Sequence, residues 1–377
     1  MYIKQFQLSR LKEFVQPGKV AVVYGPRRCG KTTLLNHFIA GMPEEDYLFV
    51  TGEDIFVAEH LSSRSVDKLR SFVGNRRYLI VDEAQKIRDI GLNLKLIVDH
   101  LPQVSVIATG SSAFDLARQA GEPLTGRKYT LCLYPLAQLE LGAVESAAQS
   151  LARLESRLVY GSYPDVVLAD GDERRRVYLR ELVSSYLYKD ILELEGIRHA
   201  DKLVRLLQSL AFQIGKEVSV HELGTRVGLS KNTVERYLDL LQKAFVIYAL
   251  SGFSRNLRSE VVKTRRYYFY DNGVRNGLIN NFNLLTARND EGMLWENYVV
   301  MERLKKQEYT GIASNNYFWR TYERKEIDWV EEREGRLFGY EIKWGSCVPR
   351  VPKLWADTYP EAEYMVVNRD TYLSFIT

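Results

Sequence analysis

The stretch Val20-Ala-Val-Val-Tyr-Gly-Pro-Arg-Arg-Cys-Gly-Lys-Thr-Thr33 decides the fold of this chain. Its first five residues are apolar and predict a buried strand, and the apolar positions that follow Lys31 predict a helix. Between strand and helix lies the spacing Gly25-x-x-x-x-Gly30-Lys-Thr, which is the pattern of a phosphate-binding loop. The alternative, an accidental glycine-rich turn, is disfavoured because a strand precedes the loop and a helix follows it.

Each part of this loop has a physical role in holding phosphate. Glycines let the backbone turn so that successive N–H groups point at phosphate oxygens, and the positive end of the helix dipole adds to the attraction. Lys31 is expected to reach the β- and γ-phosphates, and the Thr32 hydroxyl is expected to bind Mg²⁺. ATP and Mg²⁺ are therefore the predicted cofactors. The predicted nucleotide contacts are Gly25, Pro26, Arg27, Arg28, Cys29, Gly30, Lys31, Thr32 and Thr33.

Length and composition indicate a globular protein of more than one domain. A chain of 377 residues is long for one core, and its 46% hydrophobic and 27% charged residues are ordinary values. No run of about 18 apolar residues is present, so no membrane span is expected. The N-terminus shows no signal-peptide pattern, which leaves the cytoplasm as the expected compartment. Cys29, Cys132 and Cys347 fit neither a disulfide framework nor a zinc site, and Cys29 is either redox-sensitive or a small filler residue.

A second apolar segment ends in two carboxylates. This is Arg77-Tyr-Leu-Ile-Val-Asp-Glu-Ala-Gln85, the Walker B pattern. In an α/β sheet the carboxyl end of such a strand lies beside the bound phosphates. Asp82 would hold Mg²⁺ through water, and Glu83 would polarise the attacking water as general base. A surface Asp-Glu pair at a strand end is the alternative.

Two later segments carry further candidate catalytic side chains. The strand that begins at Val104 ends in hydroxyls, and Thr109 and Ser111 are the candidates for sensing the γ-phosphate; a helix-capping role is the alternative. Arg127 precedes a fifth strand, and an arginine supplied across a subunit boundary stabilises charge on the transferring phosphoryl group. A surface arginine is the alternative for Arg127. An arginine that acts on a neighbour's nucleotide implies a homo-oligomer in the form of a ring.

These motifs together resemble those of a prokaryotic family of AAA-type ATPases that carry an additional C-terminal domain of initially unknown function. The family is similar to the AAA+ and STAND branches of the P-loop NTPases. Gly161-Ser-Tyr-Pro164 resembles the Gly-x-Pro element of STAND-like ATPases, with one more residue between glycine and proline, which implies that Pro164 lies against the adenine. The resemblance covers nearly the whole chain. In the ATPase core it rests on Gly25–Thr33, Val81–Gln85, Thr109-Gly-Ser-Ser112, and Gly126-Arg127 through Tyr134-Pro135-Leu136.

The middle of the chain predicts helices followed by a winged helix. Residues from about 151 to 194 have the apolar spacing of amphipathic helices, which would form a lid over the nucleotide. The later string Glu222-Leu-Gly-x-x-Val-Gly-Leu-Ser-x-x-Thr-Val is typical of a helix-turn-helix, with Ser230 as the N-cap of its second helix. Two following apolar segments, Phe245–Leu250 and Arg266–Tyr270, are predicted to be the strands of the wing.

Cations and amides of this module are the candidate DNA contacts, because such groups bind phosphates and base edges. DNA, duplex or branched, is the expected partner. In ATPases with an appended winged helix the module often serves only oligomer packing or nucleotide sensing, and that alternative stays open. The candidates are Lys231, Asn232, Thr233 and Arg236 on the second helix, and Arg255, Arg258, Lys263, Arg265 and Arg266 between or beside the wing strands.

The C-terminal third holds a nuclease-like constellation. Asp328 lies on one predicted strand, and Glu341 and Lys343 share one face of the next because side chains alternate along a strand. Glu296 on the preceding helix can join them. The set resembles the PD-(D/E)XK nuclease pattern, which implies that the three carboxylates hold Mg²⁺ and that Lys343 positions or activates water beside the scissile phosphate. The alternative is a set of charges on a solvated sheet face.

The sequence therefore predicts an α/β protein in three parts. These are a P-loop ASCE ATPase core in 1–150, a helical lid plus winged helix in 151–270, and a restriction-endonuclease-like α/β domain in 271–377. The expected function is ATP hydrolysis that drives remodelling or translocation of DNA, with a Mg²⁺-dependent nuclease domain. Two alternatives come from other classes: a STAND-like signalling switch that acts on protein partners, and a nuclease gated by ATP.

Overall fold

The computed structural model describes residues 2–111, 124–187, 200–254, 265–321 and 325–377. These residues divide into two compact units, 2–135 and 136–377. None of the described helices has both the length and the hydrophobicity that crossing a bilayer requires.

A parallel sheet forms the centre of the first unit. The strands run in the order β2-β3-β4-β1-β5, and each neighbouring pair is parallel. The carboxyl ends of all these strands therefore meet at one edge, which is where the glycine-rich loop begins. The strands are β1 (Val20–Tyr24), β2 (Tyr47–Thr51), β3 (Tyr78–Asp82), β4 (Ser105–Gly110) and β5 (Lys128–Cys132).

Two apolar layers cover this sheet, because alternate side chains of a strand face opposite sides. In β1, Val20 and Val22 contribute to one buried cluster, and Ala21 and Val23 contribute to the other. The α/β fold class with a P-loop ATPase core, predicted from the sequence, is confirmed by this architecture. The helices of the unit are α1 (Gln7–Phe14), α2 (Lys31–Ile39), α3 (Ile55–Leu61), α4 (Val66–Val73) and α5 (Ile90–His100), with a 3-10 turn at Ala84–Lys86.

The second unit contains more helix than the first, a large apolar cluster that extends from Leu154 to Ile376, and a smaller one around Trp319, Ile327 and Trp355. Its central helix has 20 residues and buries Leu294, Trp295 and Val299 in the large cluster. The helices are α6 (Gln138–Leu141), α7 (Ala147–Ala152), α8 (Leu154–Tyr160), α9 (Pro164–Leu168), α10 (Asp172–Glu181), a π-helical segment (Leu182–Leu187), α11 (Ala200–Ala211), α12 (Val220–Val227), α13 (Lys231–Lys243), α14 (Asn272–Leu278), a 3-10 turn (Leu285–Ala287), α15 (Glu291–Thr310), α16 (Lys353–Thr358) and α17 (Tyr372–Ile376).

The helices α12 and α13 form the predicted helix-turn-helix pair. Gly228 closes α12 with a φ of 68°, and the Ser230 hydroxyl accepts a hydrogen bond of 3.3 Å from the backbone N–H of Thr233. A left-handed residue and a serine cap allow the chain to turn and restart as a helix within three residues. Five apolar side chains of the pair are buried: Leu223, Val227, Val234, Leu238 and Leu241.

The sheet of the second unit extends beyond the two predicted wing strands. The two predicted wing strands, β7 and β8, do pair antiparallel, but the other edge of β7 pairs with β9 in parallel. A strand edge carries unpaired N–H and C=O groups, and at the end of β7 the residues Ser251 and Gly252 pair with β9. One sheet with the order β12-β11-β10-β9-β7-β8-β6 therefore runs across the boundary expected at residue 270. Its strands are β6 (Glu217–Val218), β7 (Ile247–Gly252), β8 (Arg265–Phe269), β9 (Asn315–Arg320), β10 (Glu326–Arg333), β11 (Arg336–Ile342) and β12 (Glu363–Val367).

Candidate functional site

The glycine-rich loop leaves β1 at Gly25 and enters α2 after Gly30. A Cβ atom on Gly25 would lie 1.9 Å from the backbone oxygen of Leu133, and Gly30 has a φ of 102°, so both positions require glycine. Lys31 is buried, and its Nζ donates hydrogen bonds to the carbonyl oxygens of Gly25 (2.9 Å) and Pro26 (3.0 Å). The lysine ammonium therefore lies over the loop, where a phosphate would be bound.

The remaining loop residues divide between core and surface. Cys29 is fully buried in the apolar layer under α2, in agreement with the filler alternative. Arg28 is exposed and has a left-handed backbone with a φ of 59°, while Arg27 is half-buried. Thr33 lies on the exposed face of the first turn of α2. The nucleotide contacts of these side chains stay predictions.

Asp82, at the end of β3, is the centre of a hydrogen-bond network. The Thr32 hydroxyl donates to its Oδ2 at 2.7 Å, and the fully buried Thr109 hydroxyl donates to its Oδ1. A hydroxyl and a carboxylate side by side at a helix N-terminus are hard oxygen ligands of the kind that Mg²⁺ prefers. The donor set and the glycine-lined loop fit a Mg²⁺–nucleotide complex. Thr109 holds the carboxylate here, and its predicted contact with γ-phosphate stays a prediction.

Glu83 follows Asp82 in a strained backbone conformation that several contacts hold. Its φ is 49°, and its N–H donates to Asp82 Oδ1 (3.1 Å) and to Thr109 Oγ1 (3.2 Å). A Cβ on Gly52 would lie 2.4 Å from the Glu83 carbonyl oxygen, so the neighbouring strand end also closes on this backbone. A non-glycine residue in this region costs of order 1–3 kcal/mol and is typical of functional sites.

The side chain of Gln85 is a part of the site that the sequence did not reveal. Its Nε2 donates to Glu83 Oε2 at 2.5 Å and contacts Ser111 Oγ at 3.1 Å. Ser111, one of the two candidates at the end of β4, therefore reaches the predicted general base through Gln85. The residue stood inside the Asp82-Glu-Ala-Gln85 string, but spacing alone did not indicate that its amide folds back on Glu83.

Arg127 lies at the opposite edge of the sheet from the loop. Its carbonyl oxygen accepts a hydrogen bond from the N–H of Val20, the first residue of β1, whereas the loop begins after Tyr24. The length of β1 separates the two by roughly 16 Å. The Arg127 Nε contacts Asp99 Oδ1 at 2.5 Å, in a partly exposed ion pair. Arg127 is thus not part of the nucleotide site of its own chain, and a role in a neighbour's site stays a prediction.

Pro164 is the first residue of α9, in the second unit. Its predicted contact with adenine, like the predicted lid over the nucleotide, stays a prediction.

The candidate DNA contacts fall into three groups. Lys231, Asn232 and Arg236 are exposed on α13, with Thr233 half-buried beside them. Arg265 is exposed at the start of β8. The predicted DNA contact of Arg266 is wrong. This residue is only 4% exposed and is surrounded by carboxylates, so it cannot contact DNA phosphate on a wing. Three further candidates lie outside the described residues: Arg255, Arg258 and Lys263.

The structure does bring the four nuclease-like residues together. Lys343 Nζ lies 2.5 Å from Glu341 Oε1 and 3.6 Å from Asp328 Oδ2. Glu296, from α15, accepts a hydrogen bond of 2.7 Å from the hydroxyl of Tyr268. Tyr268 was not predicted, because nothing in a strand with three consecutive aromatic residues marks which one meets the helix. We call Glu296, Glu326, Asp328, Glu341, Lys343 and Arg266 the C-terminal acidic cluster.

Burial changes the proton affinity of this cluster. Burial, followed by the charge of Asp328, raises the pKa of Glu296 to about 8 and that of Glu341 to about 7. Burial alone would lower the pKa of Arg266 and of Lys343, but neighbouring groups raise both, among them Tyr268 and Glu296 at Arg266 and Asp328 at Lys343. Both cations therefore stay charged, while the raised pKa values extend the protonated forms of Glu296 and Glu341 toward neutral pH.

The residues of this cluster do not form the Mg²⁺ site that was predicted for them. Among the described residues no group of three or more His, Cys, Asp or Glu side chains has the arrangement of a metal site. The physical reason is that protein cations already contact the carboxylates: Arg266 Nη1 lies 3.4 Å from Asp328 Oδ1, and Lys343 contacts Asp328 and Glu341. The residues as arranged do not fit the ion.

Comparisons with known families divide the chain into three matched parts. Residues 17–142 match an AAA domain, and residues 151–285 and 291–373 match two domains of unknown function, DUF8612 and DUF4143. An uncharacterized protein of Mycobacterium tuberculosis is 28% identical over 341 residues, which cover 89% of this chain and 72% of that protein. An uncharacterized protein of Methanocaldococcus jannaschii is 24% identical over 352 residues, which cover 86% of this chain and 76% of that protein.

A solved structure with similarity to this chain is a STAND protein (Signal Transduction ATPase with Numerous Domains) with a tetratricopeptide repeat sensor from Pyrococcus horikoshii. It is 15% identical, the match covers 81% of this chain and 46% of that one, and the TM-score is 0.24. The AAA match, by contrast, includes the loop, Asp82, Glu83 and Gln85. That match and the geometry of the first unit together support an AAA-type P-loop ATPase.

Proposed function

We propose that this protein is an ATPase that acts on DNA. Its first unit hydrolyses ATP, and the exposed first turn of α13 in its second unit contacts duplex or branched DNA. Hydrolysis serves remodelling or translocation of that DNA. Because the two activities belong to different units, each can be impaired by substitution without removing the other.

Four residues, two after the glycine-rich loop and two at the end of β3, each have one task in the proposed hydrolysis of ATP. Mg²⁺, when bound with ATP, neutralises charge on the phosphates. Thr32 and Asp82 would hold that ion, and Lys31 would bind the β- and γ-phosphates. Glu83 would accept the proton of the attacking water, which requires its carboxylate to be ionised and fixed. The bonds to the Glu83 backbone and side chain supply that fixed position.

The proposed DNA contact rests on one observation, the exposed first turn of α13 beside the buried core of the helix-turn-helix pair. Asn232 is exposed on this turn and Arg236 is exposed about one turn later on the same face, and side chains at the N-terminal end of the second helix are those that read base edges in such pairs. Lys231 pairs with Glu235 at 3.6 Å, and both side chains are more than half exposed. Exposed pairs of this kind are worth about 0–1 kcal/mol, so a phosphate can replace the glutamate.

The test is steady-state ATP turnover with Mg²⁺, with and without duplex or branched DNA, at two salt concentrations. Stimulation that decreases as salt rises supports DNA contact, because phosphate binding releases counterions. The double variant Asn232→Ala/Arg236→Ala should lose the stimulation and keep DNA-free turnover. Lys243→Ala is the matched control, since Lys243 lies at the other end of α13 in an exposed pair with Asp239. Glu83→Gln serves as the blank.

Turnover that no DNA changes would contradict the proposal. It would favour the second class of function, a STAND-like switch that binds ATP and acts on protein partners. Equal loss of stimulation in Lys243→Ala and in the double variant would also contradict the assignment of DNA to the first turn of α13.

The proposal includes assembly into a homo-oligomer, probed through Arg127. This side chain lies at the sheet edge away from its own loop, and only a neighbouring chain could bring it to a nucleotide. The proposal does not include cleavage of DNA by the C-terminal acidic cluster, because its carboxylates are paired with Arg266 and Lys343.

A further inference from the structure

The C-terminal acidic cluster contains more carboxylates than cations, yet its centre is filled by a cation of the protein itself. Arg266 Nη2 lies 2.6 Å from Glu326 Oε2, and its Nη1 lies 3.4 Å from Asp328 Oδ1 and 3.8 Å from Glu296 Oε1. A single guanidinium thus reaches one carboxylate on α15 and two on β10. No other described cation contacts three carboxylates of this cluster; Lys343 contacts two.

Asp328 shows why this arrangement competes with a metal ion. Its Oδ1 faces Arg266, while its Oδ2 accepts the N–H of Ile342 at 2.9 Å and lies 3.6 Å from Lys343 Nζ. Both carboxylate oxygens are therefore engaged. A divalent ion binds through such oxygens at about 2.0–2.6 Å, and it would have to displace at least one of the two protein cations.

Several contacts hold Arg266 in place. Its side chain is only 5% exposed, and its guanidinium lies over the ring of Phe318, 4.6 Å from the ring centre. It lies on β8, which pairs with β6 on one side and β7 on the other, so the backbone is fixed at both edges. Leaving the cluster would also leave several carboxylates buried together without this counter-charge, which is costly.

One carboxylate oxygen of Glu296 is already in close contact with the protein. A Cβ on Gly215 would lie 2.9 Å from Glu296 Oε1, so the backbone approaches the carboxylate closely. The Tyr268 hydroxyl donates to the same oxygen. Mg²⁺ usually keeps several of its waters in protein sites, and this oxygen is already occupied.

We propose that Arg266 is the resident cation of the C-terminal acidic cluster and takes the place of a divalent metal ion. The cluster is then a metal-free structural element, and the second unit does not cleave phosphodiester bonds in spite of its nuclease-like residues. Arg266 is the cation with the largest share in this outcome, since it contacts three of the four carboxylates of the cluster.

The test is Mn²⁺ binding to the nucleotide-free full chain, followed by electron paramagnetic resonance. All proteins carry Asp82→Asn, which removes the carboxylate of the first unit from the measurement. In this background protein, a further Asp328→Asn substitution should leave Mn²⁺ binding unchanged, because the cluster holds no metal ion. Adding Arg266→Met should create one site per chain, at least tenfold tighter than any binding by the background, and Asp328→Asn should remove it.

Arg336→Met is the matched control. Arg336 also pairs with a glutamate on the same sheet, at 2.6 Å from Glu363, but both side chains are more than half exposed. It should leave Mn²⁺ binding unchanged, so a gain in Arg336→Met equal to that in Arg266→Met would overturn the proposal. A folded Arg266→Met protein that gains no site would overturn it as well.

One comparison does not depend on the folding of Arg266→Met. If the background protein binds Mn²⁺ and Asp328→Asn abolishes that binding, a metal displaces the arginine in the native cluster and the proposal fails. A nuclease assay gives a second test. The proposal also fails if the native chain nicks plasmid DNA in a Mg²⁺-dependent reaction that Asp328→Ala and Lys343→Ala each abolish. Neither result bears on ATP turnover or on α13, so the proposed function is tested separately.

Discussion

The hydroxyl of Thr32 donates a hydrogen bond of 2.7 Å to the carboxylate of Asp82, and this bond joins the first turn of α2 to the end of β3. The two residues are 50 positions apart in the chain. Their contact shows that the glycine-rich loop and the acidic strand end form one site rather than two separate motifs. A ligand that binds a hydroxyl and a carboxylate together, as Mg²⁺ does, would therefore contact both the start of α2 and the end of β3.

Glu83→Gln is expected to abolish ATP turnover and to leave ATP binding intact. The amide keeps the shape of the side chain but cannot accept the proton of the attacking water, a role worth about 10²–10⁴-fold in rate. The measurement is phosphate release beside the affinity for a fluorescent ATP analogue. Undiminished turnover would remove Glu83 from the mechanism, and a parallel loss of affinity would mean that the substitution disturbs the loop.

Gln85→Met should reduce kcat by about tenfold, in line with the loss of one charge-assisted hydrogen bond of about 1.5 kcal/mol, with little change in KM. Methionine fills similar space but cannot donate to Glu83 or contact Ser111, so Gln85 acts here as a positioning residue. Ser111→Ala should have a smaller effect, and the two substitutions should not be additive because they share one network. A change confined to KM, or full additivity, would contradict this role.

Arg127→Ala should lower turnover by about 10³-fold if the arginine acts in a neighbour's site. Mixing Arg127→Ala chains with Glu83→Gln chains should then restore part of the activity, since a mixed pair contains one site with both groups intact. Asp99→Ala is the control, because it breaks the same ion pair without removing the arginine. Retained turnover in Arg127→Ala would assign Arg127 to the surface pair alone.

Raising the pH should destabilise the second unit. Burial raises the pKa of Glu296 from its ordinary value of 4.5 to about 8. The folded chain then binds this proton more tightly than the unfolded chain, so the stability gained is complete below about pH 4.5 and is lost as pH rises through about 8. Glu341, with a pKa raised to about 7, adds to the loss in the same direction.

Calorimetric melting in EDTA at pH 6 and pH 9 measures this effect. Glu296→Gln should reduce the decrease in Tm between these two values, because the amide does not titrate. Arg266, Asp328 and Tyr268 face the same carboxyl group and stay in place in that variant. A pH slope that Glu296→Gln leaves unchanged would show that other groups determine it.

Arg303→Met should cost about 1.5–3 kcal/mol of unfolding free energy, because a buried carboxylate loses its two-pronged cation and keeps Arg333, Gln307 and Trp329 as partners. Arg303 contacts both oxygens of Glu331, at 2.6 and 2.8 Å, and the Glu331 side chain is fully buried. Arg336→Met, which breaks an exposed pair on β11, should cost no more than about 1 kcal/mol. Urea unfolding measures both. Equal losses would mean that burial does not decide the strength of these pairs.

Local patterns in this sequence predicted local structure well. The loop from Gly25 to Thr32 is a contiguous string whose spacing is fixed by the phosphate it holds, and β1 and α2 begin within a residue or two of their predicted positions. The helix-turn-helix pair has the same property, since Gly228 and Ser230 mark its turn in the sequence.

Contacts between residues that are far apart in the chain could not be predicted from local patterns in the sequence. The apolar segment Arg266–Tyr270 predicted a strand but did not show that β7 would pair with β9, and so Arg266 was expected on an exposed wing. The gathering of Glu296, Asp328, Glu341 and Lys343 was predicted from spacing and resemblance. The cation among them was not, because it comes from a strand more than 60 residues before Asp328.

The continuous sheet from β6 to β12 has a consequence for how the chain can be divided. Residues 291–373 match a family of their own, yet in this chain β9 hydrogen-bonds to Ser251 and Gly252 of β7. A fragment that began after residue 270 would present that edge of β9 bare, and bare sheet edges recruit strands from other molecules. The segments before and after residue 270 should therefore melt as one cooperative block, and separate expression of either should yield aggregates instead of a usable domain.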